Sequence, residues 1–248
     1  MNGTTGTLRT APEAVALAIT PQERAAVHRG WFTGLPAVAQ HALLAQARPR
    51  RLLAGEALCR HGMAPEDWFV VCRGSVRLSG LFESGKAFTL DFLQPGEWCG
   101  QLSHAEGMPR MNEAAAQTDC TVLLIHCDAM NALVLQHPAL LHALLHVSYA
   151  RLAEMMRFLE ELQTLPLATR LARKIDSLTR RDSDGAEAVL RLSQQDWADL
   201  LGASRPRVNG HLRAMARDGI IRIEHRSVRV LEPDRLHALT GRPAAVAA

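Results

Sequence analysis

This chain of 248 residues has few cysteines, and they form no motif. They stand singly at Cys59, Cys72, Cys99, Cys120 and Cys127. That spacing argues against a zinc finger or an iron–sulfur cluster, because both need several thiolates close together in a recognisable pattern. An N-terminal iron–sulfur cluster is ruled out, since no cysteine precedes the first of these five. We interpret the thiols as reduced and mostly buried, as expected in a cytoplasmic protein.

Long apolar runs and enzyme motifs are also missing. No apolar stretch approaches the roughly 20 residues of a membrane span. Residues 1–20 lack the basic start and apolar block of a secretory signal. We therefore expect a cytoplasmic protein that does not associate with membranes. The motifs of serine hydrolases, phosphate-binding loops and zinc proteases do not occur, so we expect no enzymatic activity and assign no catalytic residue.

The most informative pattern is present in the last quarter of the chain, where helix, tight-turn and helix signals follow one another. Ser193 is a good N-cap, and Asp196 three residues later resembles the partner in a capping box. Gly202 stands where the first helix must stop, a position that favours positive φ. Ser204 would cap the second helix, and Pro206 falls in its first turn. The pattern predicts a helix-turn-helix.

The second of these helices has two distinct faces. Val208, Leu212 and Met215 step by four and three residues and form a stripe that would be buried. Another face carries side chains suited to bases, because Arg forms two hydrogen bonds with guanine and Asn two with adenine. The expected base contacts are Arg205, Asn209 and Arg213. Phosphate contacts orient a protein on DNA without reading its sequence. The expected phosphate contacts are Ser193, Ser204, Arg207 and Arg226.

A hairpin is predicted directly after this helix. Residues 220–230 alternate apolar and charged side chains around a polar turn. Such a hairpin would form a wing, and Arg222, Arg226 and Arg229 would help it to lie on the DNA backbone. Over residues 163–248, Lys and Arg outnumber Asp and Glu by 15 to 10, whereas the rest of the chain has 13 against 15. The basic excess therefore lies where nucleic acid would bind.

The first half of the chain has a different pattern. Pro21 to about Ala47 is predicted to be helical, with Trp31 and Phe32 as packing anchors. From about residue 50 to residue 127, short apolar runs alternate with turn signals such as Gln94-Pro-Gly-Glu97. Short strands at regular spacing are typical of a small antiparallel barrel or roll.

A long helix is predicted after these strands, beginning near Pro138. It ends before Pro166, which lacks an N–H and restricts Leu165. Its apolar positions form a heptad-like seam. The seam consists of Leu145, Ser148, Leu152, Met155, Leu159 and Leu162. The seam could pack within its own domain or join two chains. We favour the dimer, because charged residues flank it, and we place the interdomain hinge at Leu165–Pro166.

This order of elements resembles the Crp/Fnr superfamily, the homodimeric bacterial transcription regulators related to the cAMP receptor protein. The resemblance covers about residues 30–240. It is carried by Arg51-x-x-x-Gly55-Glu56, Val70-Val-x-Arg73-Gly74-x-Val76, Gln94-Pro-Gly-Glu-x-x-Gly100, Gly107-x-Pro109-Arg110, His137-Pro138 and Leu201-Gly-Ala-Ser-Arg205. It implies a site-specific homodimer on double-stranded DNA with a two-fold-symmetric operator, and contact with RNA polymerase. Half-sites would lie about one helical turn apart.

The fold class implied is α+β. An N-terminal β-roll (jelly roll), like a cyclic-nucleotide-binding domain, precedes a long dimerisation helix and a C-terminal winged helix-turn-helix. We divide the chain into an N-terminal arm or helix (1–30), a β-roll effector domain (31–137), a dimerisation helix (138–165) and a DNA-binding domain (166–248).

The expected effector pocket departs from that of the cAMP-binding members. By resemblance the pocket comprises Gly100, Gln101, Leu102, Arg110, Met111, Met155 and Met156. Gln101 replaces a glutamate that binds the ribose in those members. Met155 and Met156 replace residues with hydroxyl groups that bind adenine, and a thioether is only a weak acceptor. These departures argue against cAMP. Arg110 suits an anionic or phosphate-bearing effector, or else it is a structural arginine in a filled pocket.

Two further points follow from the residues. His61, His104, His142 and His146 are candidate haem ligands by type alone. The pair four residues apart on one helix face also suits a metal, but such pairs are more often surface or packing residues, so we assign neither.

In the recognition helix, Gly210 replaces an arginine of the cAMP receptor protein, so we expect a different half-site that still contains a guanine read by Arg205.

Two functions are compatible with these observations. The leading one is a transcription regulator controlled by a small-molecule effector in the β-roll. The alternative is a ligand- or haem-sensing regulatory module with weak or vestigial DNA binding. The basic C-terminal part and the face carrying Arg205, Asn209 and Arg213 favour the regulator.

Overall fold

The computed structural model describes residues 19–64, 66–81, 87–100, 109–182 and 189–242. The chain divides into two compact units, residues 1–151 and residues 152–248. The division falls within a long central helix. No helix in the described ranges is long and apolar enough to cross a membrane.

The predicted N-terminal helical region forms two helices separated by a 3₁₀ turn. Helix α1 spans Pro21–Val27, the 3₁₀ turn spans Gly30–Gly34, and α2 spans Ala37–Ala45. The predicted helical character of this region is therefore confirmed, but the region is divided into separate helices. The interruption has a local cause, because Gly30 takes a φ of +57° and Pro36 occupies the N-cap of α2 in an extended conformation.

In the described part of the chain, eight strands follow and form two antiparallel sheets. They are β1 (Arg48–Leu52), β2 (Ala57–Cys59), β3 (Asp67–Arg73), β4 (Val76–Leu81), β5 (Ala87–Leu93), β6 (Trp98–Cys99), β7 (Glu113–Ala116) and β8 (Cys120–His126). One sheet has the order β1-β8-β3-β6 and the other has the order β2-β7-β4-β5. The predicted antiparallel roll is confirmed.

Strand β3 shows why the sequence has an unbroken apolar run at this point. Phe69 and Val71 point into a core cluster shared by both sheets. The alternate residues Trp68, Val70 and Cys72 join a second cluster, formed with the helices that cover the outer face of the sheet. Both faces of the strand are buried, so neither set of alternating positions can be polar.

An aromatic cluster joins the N-terminal helices to this sheet. Phe32 is fully buried and stacks on Trp98 with ring centroids 5.9 Å apart, and Trp31 lies 5.2 Å from Trp98. The predicted anchors are thus both in the cluster. The backbone oxygen of Trp98 also accepts a hydrogen bond from the Arg151 guanidinium.

Three helices come next, α3 (Cys127–Gln136), α4 (Pro138–Thr164) and α5 (Leu167–Asp182). Helix α4 begins at the predicted proline and ends before Leu165, so the expected break at Pro166 is confirmed.

Over residues 189–242, the C-terminal unit continues with a small sheet and three more helices. Its elements are β9 (Val189–Leu190), α6 (Gln194–Leu201), α7 (Arg205–Arg217), β10 (Ile221–Glu224), β11 (Ser227–Val230) and α8 (Pro233–Leu239). The strands pair in the order β10-β11-β9. The predicted helix-turn-helix and hairpin are therefore confirmed as α6, α7 and β10–β11.

Candidate nucleic-acid interface

Helix α6 begins and ends at the residues that the sequence indicates. The Ser193 hydroxyl accepts a hydrogen bond from the Asp196 N–H at 3.2 Å, and the Asp196 carboxylate accepts one from the Ser193 N–H at 2.7 Å. This is a complete capping box. At the other end, Gly202 takes a φ of +58°, which lets the chain turn into α7.

Helix α7 buries the predicted stripe. Val208, Leu212 and Met215 are all buried, and Pro206 lies in the first turn. Ser204 occupies the N-cap position, but within the described residues its hydroxyl makes no capping hydrogen bond. The prediction that its side chain caps the helix is wrong, which leaves that hydroxyl for other contacts.

The opposite face of α7 carries the predicted base-reading side chains. Arg205 and Arg213 are exposed, as is Arg207 beside them. Asn209 is only half exposed, and its Oδ1 is enclosed without a hydrogen-bond partner among the described residues. Reading adenine needs both the oxygen and the nitrogen of the amide. Asn209 must therefore rotate its side chain before it can make that contact.

The wing is a hairpin in which Glu224 pairs with Ser227. Arg226 lies in the two-residue loop between them, exposed and with a φ of +53°. Arg229 behaves differently from the expectation that it helps the wing to reach DNA, because its Nε donates to Glu224 Oε1 at 3.0 Å. That hydrogen bond holds the pKa of Glu224 below its usual value.

A groove of about 440 Å³ lies between the start of α6, the start of α7 and the wing. Three predicted DNA contacts line it, namely Ser193, Arg205 and Arg226. Its apolar lining residues are Leu192, Trp197, Leu212, Ile223 and Val228. The fold thus brings together polar side chains from three elements that are separated in the sequence.

The same groove contains residues that the sequence analysis missed. Gln194 and Gln195, at the first two positions of α6, line it together with His225 of the wing. A signal was present, because the N–H groups at a capped helix start attract anions and two amide side chains stand there. His225 lies in the turn of the wing, where the sequence indicates only a polar loop.

The predicted effector residues of the roll are partly described. Gly100 follows β6 with a φ of +137°, and a Cβ there would lie 2.8 Å from Trp68 Cγ. Only glycine therefore fits at this position. Gln101 and Leu102 lie outside the described residues. Met111 is exposed.

Arg110 is the charged member of this set and is only 6% exposed. Its guanidinium donates to the backbone oxygen of Asp67. Its Nε is enclosed and has no hydrogen-bond partner in the described part of the chain. A buried guanidinium with an unused donor is suited to an anion. Its bond to Asp67 also ties the segment before β7 to the start of β3.

Two family models match the chain, one for each part of the architecture. Residues 49–137 match the cyclic nucleotide-binding domain. Residues 169–239 match the Crp-like helix-turn-helix domain. The chain belongs to the Crp/Fnr superfamily of transcriptional regulators.

Individual relatives agree with this assignment. A CRP-like cAMP-activated global transcriptional regulator of Mycobacterium tuberculosis is 28% identical over 211 residues, which is 84% of this chain and 94% of that protein. A global nitrogen regulator of Synechococcus elongatus is 25% identical over 185 residues, covering 72% and 83%. Both relatives are bacterial regulators by name, and the first is a transcriptional regulator.

Solved structures of the Crp/Fnr type have the same fold. A CRP/FNR-family transcriptional regulator from Thermus thermophilus superposes with a TM-score of 0.64 at 26% identity, covering 79% of this chain and 99% of that chain. FixK2 from Bradyrhizobium japonicum gives a TM-score of 0.70 at 21% identity, covering 80% and 99%. The α+β architecture of roll, long helix and helix-turn-helix is thereby confirmed.

In this Crp/Fnr chain the predicted dimer seam of α4 is open to solvent. Its apolar members are Leu145, Leu152, Met155, Leu159 and Leu162, all of them exposed. The Ser148 hydroxyl donates to the backbone oxygen of Leu144, so its polar group is satisfied within the helix. Met155 and Met156 are each 61% exposed. Their expected role in the effector pocket stays a prediction.

Most of the cysteine side chains are buried. Cys72, Cys120 and Cys127 are buried, and Cys59 and Cys99 are half-buried. Burial raises the pKa of Cys72 to about 12 and that of Cys120 to about 11. Nowhere in the described ranges do three or more His, Cys, Asp or Glu side chains gather as a metal site. His142 and His146 are exposed on α4.

Proposed function

We propose that this Crp/Fnr protein is a cytoplasmic homodimer that binds a two-fold-symmetric operator and regulates transcription under the control of a small-molecule effector. The observation that carries the proposal is the polar face of α7. Arg205, Arg207 and Arg213 are exposed. The apolar stripe on the other side of the helix is buried, and its burial fixes the orientation of the helix. RNA polymerase is the protein partner implied by the family, and we assign no surface to it.

Arg205, Asn209 and Arg213 are proposed to contact base edges in the major groove. Arg205 is the first residue of α7 and lines the groove beside the wing. In helix-turn-helix proteins the N-terminal part of the recognition helix contacts base edges, which supports this role. Asn209 would take part after its amide rotates.

Ser193, Ser204, Arg207 and Arg226 are proposed to contact phosphates. Ser193 and Arg226 both line the groove, so a DNA backbone placed there would contact α6 and the wing together. The unengaged hydroxyl of Ser204 and the exposed Arg207 lie at the start of α7. Contacts of this kind position the protein without reading sequence.

Dimerisation is proposed through α4. A run of exposed leucines and methionines on one helix is costly in water, and covering apolar area contributes roughly 25 cal/mol per Å². A second copy of the same helix would cover the seam symmetrically. Two-fold symmetry of the protein then requires two-fold symmetry of the operator.

The effector is proposed to be an anionic small molecule other than cAMP. Arg110 supports the charge, because it is buried and keeps a donor unused. The methionines that stand where cAMP-binding members have hydroxyl groups argue against cAMP. Native mass spectrometry of the purified protein, with an absorbance scan for haem, tests this. Retention of cAMP, or a haem absorbance band, would contradict it.

The DNA-binding proposal is tested by selecting an operator from a random duplex library with the full-length chain. We expect a selected sequence with two half-sites about one helical turn apart. Arg205→Ala should cost about 1–3 kcal/mol at one base pair and relax selectivity there. Arg207→Ala should weaken binding evenly and lower the salt slope by about one. Failure to select any sequence would contradict the proposal and favour a vestigial DNA-binding domain.

A further inference from the structure

One carboxylate near the end of α4 accepts hydrogen bonds from two arginines. Glu161 Oε1 accepts from Arg173 Nη1 at 2.8 Å and from Arg242 Nη2 at 3.0 Å. The Glu161 side chain is 15% exposed. We call these three residues the Glu161 hub.

The two arginines come from different parts of the winged domain. Arg173 lies on α5, and Arg242 follows α8. Arg173 also donates through Nε to the backbone oxygen of Thr240 at 2.8 Å. The Arg242 N–H donates to the Thr240 hydroxyl at 3.2 Å. Both arginines lie beyond the helix break at Pro166, so the hub joins the last turn of α4 to two elements on the other side of that break.

The hub has the properties of an effective ion pair. Glu161 and Arg173 are each less than one-fifth exposed, so salt screens their attraction poorly. By contrast, Arg48 of the pair formed with Asp67 is 61% exposed and is well screened. Replacing Glu161 by a neutral side chain would leave the guanidinium groups of Arg173 and Arg242 without the negative charge that both contact.

We propose that Glu161 is a positioning residue for DNA binding. The hub fixes the winged domain on the last turn of α4. This inference rests on the proposed function, in which α4 also joins the two chains. The orientation of the winged domain on α4 then determines the distance between the two recognition helices. That distance determines the half-site spacing to which the dimer binds. Pre-organisation of this kind favours binding because the orientation need not be imposed by DNA.

The matched test compares Glu161→Gln with Glu160→Gln. Both remove one negative charge from adjacent positions of the same helix, but Glu160 is exposed and has no place in the hub. The probe is the operator selected by the wild-type chain, together with duplexes in which the half-sites are one base pair closer or farther apart.

We expect wild type and Glu160→Gln to discriminate equally against altered spacing. Glu161→Gln should lose about tenfold of that discrimination, which is about 1.4 kcal/mol. A role only in stability would weaken binding at every spacing alike. Arg242→Gln added to Glu161→Gln should have no further effect, and Glu161→Asp should restore part of the discrimination. Unchanged discrimination in Glu161→Gln would overturn the proposal.

A measurement without DNA separates this proposal from the proposed function. Hydrogen exchange of backbone amides in residues 161–170 should be about tenfold faster in Glu161→Gln than in Glu160→Gln, since loss of the ion pairs loosens the connection. If the wild-type chain selects no operator, the proposed function fails. Equal exchange rates in the two variants would overturn the proposed role of the hub, whatever the result with DNA.

Discussion

The β-roll and the winged domain present their candidate sites in opposite ways. In the winged domain, the predicted contacts lie within residues 193–226, and three of them meet at one groove. The predicted effector residues, in contrast, come from widely separated segments of the roll and from α4, and the arginine among them is buried. A binding surface for a long polyanion can be assembled from local helices and an adjoining hairpin. A small-molecule pocket needs side chains that only distant contacts bring together.

Two arginines illustrate this difference between the roll and the winged domain. Arg205 is exposed at the start of a helix whose opposite face is buried. Arg110 is enclosed and donates to the backbone oxygen of Asp67. The same side chain therefore serves at the surface in one unit and within the fold in the other. Substitutions in both units test how far this contrast extends.

The largest effect is expected from Phe32→Ala in the roll. Phe32 is fully buried and stacks on Trp98, so its loss should cost about 3–5 kcal/mol of the free energy of unfolding of this unit. Calorimetry should show the transition of the roll moving to lower temperature while that of the winged domain stays. Val38→Ala, an exposed position on neighbouring α2, is the control. Equal shifts of both transitions would show that the units unfold together.

The next largest effect is expected when the buried Arg110 and the exposed Arg205 are each replaced by methionine. Arg110→Met should reduce the free energy of unfolding by about 1–3 kcal/mol, because it removes a hydrogen bond to a backbone oxygen inside the fold. Arg205→Met should change it by no more than about 0.5 kcal/mol. Denaturant unfolding measures both. If the two variants were equally stable, Arg110 would have no structural role in the roll.

A pH dependence is expected from the buried thiol of Cys72 in the roll. Burial raises its pKa from the usual 9.0 to about 12. Well below pH 9 the thiol is protonated whether the chain is folded or unfolded. Above pH 9 it ionises first in the unfolded chain, so stability is lost as pH rises towards 12.

Cys72→Ala should therefore flatten the loss of stability between pH 9 and pH 11. The slope should fall by up to about 1.4 kcal/mol per pH unit, the value for one proton. Denaturant unfolding at a series of pH values measures it. A slope as steep as that of the wild-type chain would show that this thiol does not titrate as its burial requires.

The smallest effect separates two serines of the helix-turn-helix. Ser193→Ala removes a capping box and should cost about 1 kcal/mol. Ser204→Ala removes a hydroxyl that makes no capping bond among the described residues, and should leave stability unchanged. Thermal unfolding of the two variants compares them. Both should weaken DNA binding if both contact phosphates. Equal loss of stability would show that Ser204 also caps its helix.

The winged helix-turn-helix was predictable because its signals are local. The capping box at Ser193, the positive φ of Gly202 and the burial of Val208 and Leu212 all follow from neighbours within a few residues. The long helix and its end before Pro166 were predictable for the same reason. The same local rules did not indicate the break between α1 and α2.

The groove and the Glu161 hub were not predictable in this way. Gln194, His225 and Arg205 become neighbours only when α6, α7 and the wing pack together. Glu161, Arg173 and Arg242 are separated by up to 81 residues. A charged side chain shows in the sequence only that it prefers water or a partner, and its partner depends on long-range contacts.

The sequence by itself determined the order of the elements, the helix caps, the buried stripe of α7 and the basic bias of the C-terminal part. Each of these depends on backbone conformation and side-chain periodicity over a single helix or strand. The tertiary structure alone decided that Arg110 is buried, that Arg229 pairs with Glu224, and that Glu161 receives two arginines. Burial and ion pairing depend on which surfaces meet, and the folded chain fixes that through contacts between distant residues.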